Sequence, residues 1–204
     1  MKFALVTIGL AVALGSARGE VAQLPGLRVQ SEEKIVEATG QISLTTGILE
    51  FVAVEAGGRD YESLLTLTCR PSALKFALLL LGLPTGETNG APLRLDVEWD
   101  IAGKPHRVPV ETLLLDRTTG KPPARLPFIF TGSFFGPDLT GSNQIFHADI
   151  EQAHVALWWQ PSVLINVRGD RGNPYRADNQ GFEVNSKLVP KAGTPVKLIF
   201  RPRE

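Results

Sequence analysis

The spacing of apolar positions changes along this chain, and each change marks an element. Ile35 to Leu44 and Ile48 to Glu55 are rich in β-branched and aromatic residues and read as strands. Thr46-Gly47 turns the chain between them. Gly57-Gly58 reads as the turn of a hairpin into a third strand, Tyr61 to Cys69. Leu93 to Ile101 alternates cleanly. Leu93, Leu95, Val97, Trp99 and Ile101 share one face, and Arg94, Asp96, Glu98 and Asp100 share the other. This predicts a half-exposed strand with a solvated charged face. Ala102-Gly103-Lys104 then turns it into His106 to Val110, with a short helix following to about Asp116.

Pro71 to Leu83 breaks the strand pattern, because between its ends only Lys75 is charged. Pro71 suits the first helical position, where its missing N–H costs nothing. Gly82 and Pro84 form a stop signal. A helix apolar on nearly every side is expected to be buried on nearly every side. The expectation is a central helix of about 20 Å laid across a sheet.

The second half echoes the first. Strands are predicted at about Ile145 to Ile150 and Ala153 to Trp159. Pro161-Ser162-Val163-Leu164 then resembles Pro71-Ser72-Ala73-Leu74 and places a second short helix near 161–167. A last strand, Val196 to Phe200, follows. Lys121 to Pro127 holds three prolines and reads as an irregular crossing, and Gly169 to Gly181 as a polar surface loop. The expected fold is one α+β domain, a mainly antiparallel sheet around the helix at 71–83. The order of elements leaves open a pseudo-repeat of two β-β-β-α-β halves.

The first residues add a location. Lys2 precedes an apolar run, Phe3 to Leu14, followed by Gly15, Ser16, Ala17 and Gly19. This is the layout of a secretory signal peptide, with cleavage expected after Gly19. The run falls short of the ~20 apolar residues that span a bilayer. The expected organisation is therefore a signal peptide at 1–19, a loose leader at 20–33 and one globular domain at 34–204, exported to the periplasm or the extracellular space. No membrane span is expected in the mature chain.

The chain carries 21 basic and 21 acidic residues. This balance gives no support for nucleic-acid binding by bulk charge. Cys69 is the single cysteine. It excludes an internal disulfide, an iron–sulfur cluster and a zinc site built mainly from thiolates. The plain reading is a buried inert thiol. His106, His147 and His154 are scattered over predicted strands, so neither a metal nor any other cofactor is expected.

Two residue pairs carry candidate acid–base chemistry. Glu50 lies mid-strand with apolar residues on both parities, so its carboxylate needs a partner or a raised pKa. Glu62 sits on the neighbouring strand, and paired carboxylates can move protons. The plainer account is an ion pair to Arg59, Lys75 or Arg70. Ser72 and Lys75 have the Ser-x-x-Lys spacing, which puts an amine one helical turn from a hydroxyl. The companion motifs of that chemistry are missing, and a serine in a first helical turn is ordinary. Trp158 and Trp159 are consecutive on a strand and must point to opposite faces. One of them, together with Phe134, is a candidate for stacking on a ligand or filling a partner's pocket, against plain core packing.

The run Gly47-Ile48-Leu49-Glu50, Gly57-Gly58-Arg59, Glu62-Ser63-Leu64-Leu65, Pro71-Ser72-Ala73-Leu74 and Ala77 to Leu83 resembles the YdjY-domain family of exported bacterial proteins. Phe130-Thr131-Gly132-Ser133 and Gly193-Thr194-Pro195-Val196 are similar to its later blocks. The resemblance covers roughly residues 35 to 200. Tyr61 and Lys75 stand where histidines are expected in relatives. The resemblance implies export and a shared core, and no activity. Two functions follow from the residues. One is a non-catalytic module that binds an envelope protein or a small ligand. The other is a small hydrolase using Glu50 and Glu62, or Ser72 and Lys75.

Overall fold

The computed structural model describes residues 21–138, 140–169 and 172–203. Residues 1–19, read from the sequence as a signal peptide, lie outside the described residues. Sixteen strands run through the described residues: β1 (Val21–Leu24), β2 (Leu27–Gln30), β3 (Ile35–Ile42), β4 (Ile48–Leu49), β5 (Phe51–Glu55), β6 (Ser63–Leu67), β7 (Pro92–Ile101) and β8 (Lys104–Pro109) in the first half. Then come β9 (Leu114–Asp116), β10 (Phe128–Ile129), β11 (Phe135–Pro137), β12 (Gln144–Phe146), β13 (Ala153–Ala156), β14 (Ile165–Val167), β15 (Phe182–Val184) and β16 (Pro195–Pro202). The described residues hold two α-helices, α1 (Pro71–Leu80) and α2 (His147–Glu151).

Eight strands close into a barrel in the order β3, β16, β7, β10, β14, β13, β5, β6, with β6 pairing back onto β3. Strands make up 41% of the structure and helices 12%, so this is a mainly β protein and not the α+β fold expected from the sequence. Closure removes the exposed edges that an open sheet would leave. One edge of β3 serves two partners in turn, β2 at residues 35–38 and β6 at 40–42. Gly40 sits where it changes over. A methyl group there would run into the Thr66 carbonyl and the Leu67 side chain.

The residues at 21–30, read from the sequence as a loose leader, form a β1–β2 hairpin attached to β3. The Gly57-Gly58 turn does not make a hairpin. It feeds a short 3₁₀ turn, Asp60–Glu62, that carries the chain back so that β5 and β6 pair parallel. No helix forms at 161–167 either. Ile165–Val167 is a barrel strand, and the second helix is α2, which overlaps the predicted strand 145–150. The proposed pseudo-repeat therefore fails at its fourth element.

The largest correction concerns α1. Its bounds match the proline and glycine signals, but it is not central. Pro71, Leu74, Ala77 and Leu78 are buried, packed toward β2, β3, β13 and α2. Phe76, Leu79 and Leu80, on the opposite side, are 53%, 45% and 49% exposed. The core lies instead inside the barrel, where Leu93, Leu95 and Val97 of β7 meet Leu198 and Phe200 of β16 and Val36 and Ala38 of β3. The alternation of β7 is as predicted up to Trp99, with Ile101 exposed past it. Its charged face joins a ladder across strands. Glu98 holds Arg107 at 2.6 Å and Lys197 at 3.6 Å, and Lys197 reaches Glu37 at 3.4 Å.

Candidate functional site

Glu50 occupies the break between β4 and β5, and its backbone remains bonded on both sides. Its N–H donates to the Glu62 carbonyl at 3.0 Å, and its carbonyl accepts from the Leu157 N–H at 2.9 Å. The side chain is only 5% exposed. Burial, the nearby charge of Glu62 and a hydrogen bond with the Glu62 carboxyl push the Glu50 carboxyl up to about 7, and Arg59 opposes them.

The 3₁₀ turn brings Arg59 and Glu62 onto Glu50. Arg59 is within 3.8 Å of Glu50 and 3.5 Å of Glu62, and holds Glu151 of α2 at 3.0 Å. Its guanidinium also lies over the Phe51 ring, 4.3 Å from the centroid. The fifth member is Tyr175, whose hydroxyl donates to Glu50 Oε1. Glu50 thus has Tyr175 on one oxygen and Arg59 on the other. The sequence reading had Glu50, Glu62 and Arg59. It missed Glu151 and Tyr175, which arrive from segments remote in the chain. Tyr175 is one of two tyrosines here, in a loop read only as polar surface, and nothing local links it to Glu50.

Ser72 and Lys75 are turned to other uses. The Ser72 N–H donates to Asp149 Oδ1 at 2.8 Å, so α2 supplies the acceptor for the first turn of α1. Arg70 holds the same carboxylate at 3.3 Å. The Lys75 ammonium lies over Phe146 at 4.6 Å and Phe135 at 5.7 Å. Burial lowers its pKa.

Trp158 and Trp159 are both half-buried, so the expected split into one core and one exposed ring is not found. The Trp158 indole N–H is enclosed without a partner. Phe134 is exposed and stacks on His147 with centroids 4.3 Å apart. His154 is fully buried beside Cys69. Its Nε2 lies 2.9 Å from the Cys69 carbonyl oxygen and 3.7 Å from the thiol. Burial pushes the Cys69 thiol up to about 12 and the His154 imidazole down to about 4. Among the described residues, no three His, Cys, Asp or Glu side chains converge to hold a metal ion.

The carboxyl cluster resembles acid–base machinery in its composition, but its groups face one another. Outside it, the surface presents an apolar ridge. Phe76, Leu79 and Leu80 line the outer side of α1, and α2, which packs on α1, adds exposed Ile150. Phe135, also exposed, is joined to α1 through Lys75. No family model, curated protein or solved structure matches this chain.

Proposed function

We propose that this chain is a non-catalytic, exported domain that binds an apolar groove of another envelope protein through the outer face of α1. The observation that carries the reading is the ridge of Phe76, Leu79 and Leu80, spaced i, i+3, i+4 along one side of a helix and left in solvent. A helical ridge is convex and fits a concave apolar surface. A second copy of this chain would offer the same convex ridge. The proposal includes the YdjY-domain resemblance of residues 47–83, which implies export and no activity.

The rival reading, a hydrolase, has less support. Glu50 is occupied by Tyr175, Arg59 and Glu62, and Lys75 is held over two aromatic rings. Among the described residues, no helix is long and apolar enough to cross a membrane, so the ridge is not part of a helical span.

The test is affinity capture of the tagged mature protein from its own envelope fraction, run beside Phe76→Asp and Leu79→Asp variants, with light scattering on the purified chain. The expected result is a monomer that retains one partner, and variants that fold but lose it. A partner retained by both variants, or a wild-type dimer that the variants split, overturns the reading.

A further inference from the structure

A cleft of about 670 Å³ lies between the β2–β3 turn, β7, β16 and the proline-rich crossing. Three arginines from three separate segments line it: Arg94 of β7, Arg125 of the crossing and Arg201 of β16. The register makes this unusual. Along the same strands the charged ladder pairs opposite signs, Glu98 with Lys197 and Glu98 with Arg107. At the cleft the rule breaks, and Arg94 lies directly opposite Arg201. Like charges placed so are destabilising unless a counter-charge is supplied.

The protein supplies only part of it. Asp96 holds Arg201 at 3.2 Å, and the Arg201 Nε is enclosed without a partner. Among the described residues, neither Arg94 nor Arg125 has a carboxylate within ion-pair distance. Glu32 and Glu33, in an exposed turn, also line the cleft, with Lys34 beside them. The cleft thus holds two guanidiniums without a carboxylate partner and a third paired to Asp96. Guanidinium forks match the planar oxygens of carboxylates and the tetrahedral oxygens of phosphates.

We propose that this cleft binds a small polyanion carrying two or more carboxylate or phosphate groups, held by Arg94, Arg125 and Arg201. One group would sit between Arg94 and Arg201 and relieve their opposition. A second would reach Arg125. The proposal is independent of the α1 face.

Titration calorimetry of the mature protein at low and at physiological salt tests it, with pyrophosphate and citrate as separate probes. The expected result is saturable one-to-one binding of at least one probe, weakened about tenfold in Arg94→Gln and in Arg125→Gln. The stronger probe tells phosphate from carboxylate. The ligand-free Arg94→Gln variant should melt no lower than wild type, since it removes a like-charge contact. Absence of saturable binding for both probes, or binding unchanged in both variants, overturns the proposal. So does a ligand-free Arg94→Gln that melts well below wild type, which would mark Arg94 as structural.

Discussion

Glu50 and Glu62 are joined through the backbone, where the Glu50 N–H donates to the Glu62 carbonyl at 3.0 Å, and the Glu62 carboxyl helps to raise the pKa of the Glu50 carboxyl. Burial and the neighbouring Glu62 charge favour the protonated form of the Glu50 carboxyl. The folded Glu50 carboxyl is raised to about 7 from an ordinary 4.5. The folded chain therefore binds the proton more tightly than the unfolded chain does. The contribution of this pair is most favourable below pH 4.5 and is lost as pH rises toward 7. Glu50→Gln carries an uncharged amide in its place and should gain on wild type over that interval. Urea denaturation at steps across this range checks it, and a stability difference that does not change with pH would refute it.

Arg59 serves three carboxyl groups and the face of Phe51. Arg59→Met should cost about 2–3 kcal/mol, because it strands Glu50, Glu62 and Glu151 together, with some relief from solvent at the half-buried Glu151. Arg59→Lys should recover little of this, since an ammonium cannot span the three partners as a planar fork does. Denaturant midpoints of the two variants measure the difference.

Cys69 and His154 should behave as a sealed pair. With the thiol pushed up to about 12 from an ordinary 9.0, native Cys69 carries about a thousandfold less thiolate than a free cysteine. Ellman's reagent should leave it unmodified until the protein unfolds. The His154 imidazole, lowered to about 4 from 6.5, is neutral in the fold and protonated in the unfolded chain between those values. Its contribution is present above pH 6.5 and lost as pH falls toward 4. His154→Gln, which keeps a donor for the Cys69 carbonyl, should flatten the acid side of the stability profile. An acid limb identical to wild type would exclude His154 as its source.

Leu78 and Leu79 are neighbours on one helix with opposite surroundings. Leu78 is fully buried and Leu79 is 45% exposed. Leu78→Ala should cost about 3 kcal/mol, transfer and cavity terms together. Leu79→Ala should stay within about 0.5 kcal/mol. Equal costs at the two positions, read from thermal or urea melts, would mean that α1 is covered on both sides.

Much of the chain can be read locally. The alternation from Leu93 to Trp99 reports a strand with one wet face, since each residue's side is fixed by the two-residue repeat. Pro71, Gly82 and Pro84 bound α1 because they constrain their own backbone. Glu50 announces its need for partners, since a carboxylate among apolar neighbours cannot stand alone. Other features depend on contacts between residues distant in sequence. A helix apolar all round does not specify its buried stripe, and the barrel, by filling its own interior, left Phe76, Leu79 and Leu80 outside. Closure through β3 and β6, the parallel pairing of β5 with β6, the arrival of Tyr175 at Glu50 and the opposition of Arg94 and Arg201 are matters of register and chain path. Spacing along the chain carries no information about which strand lies alongside which, because the same alternating surface fits an open sheet and a closed one equally well.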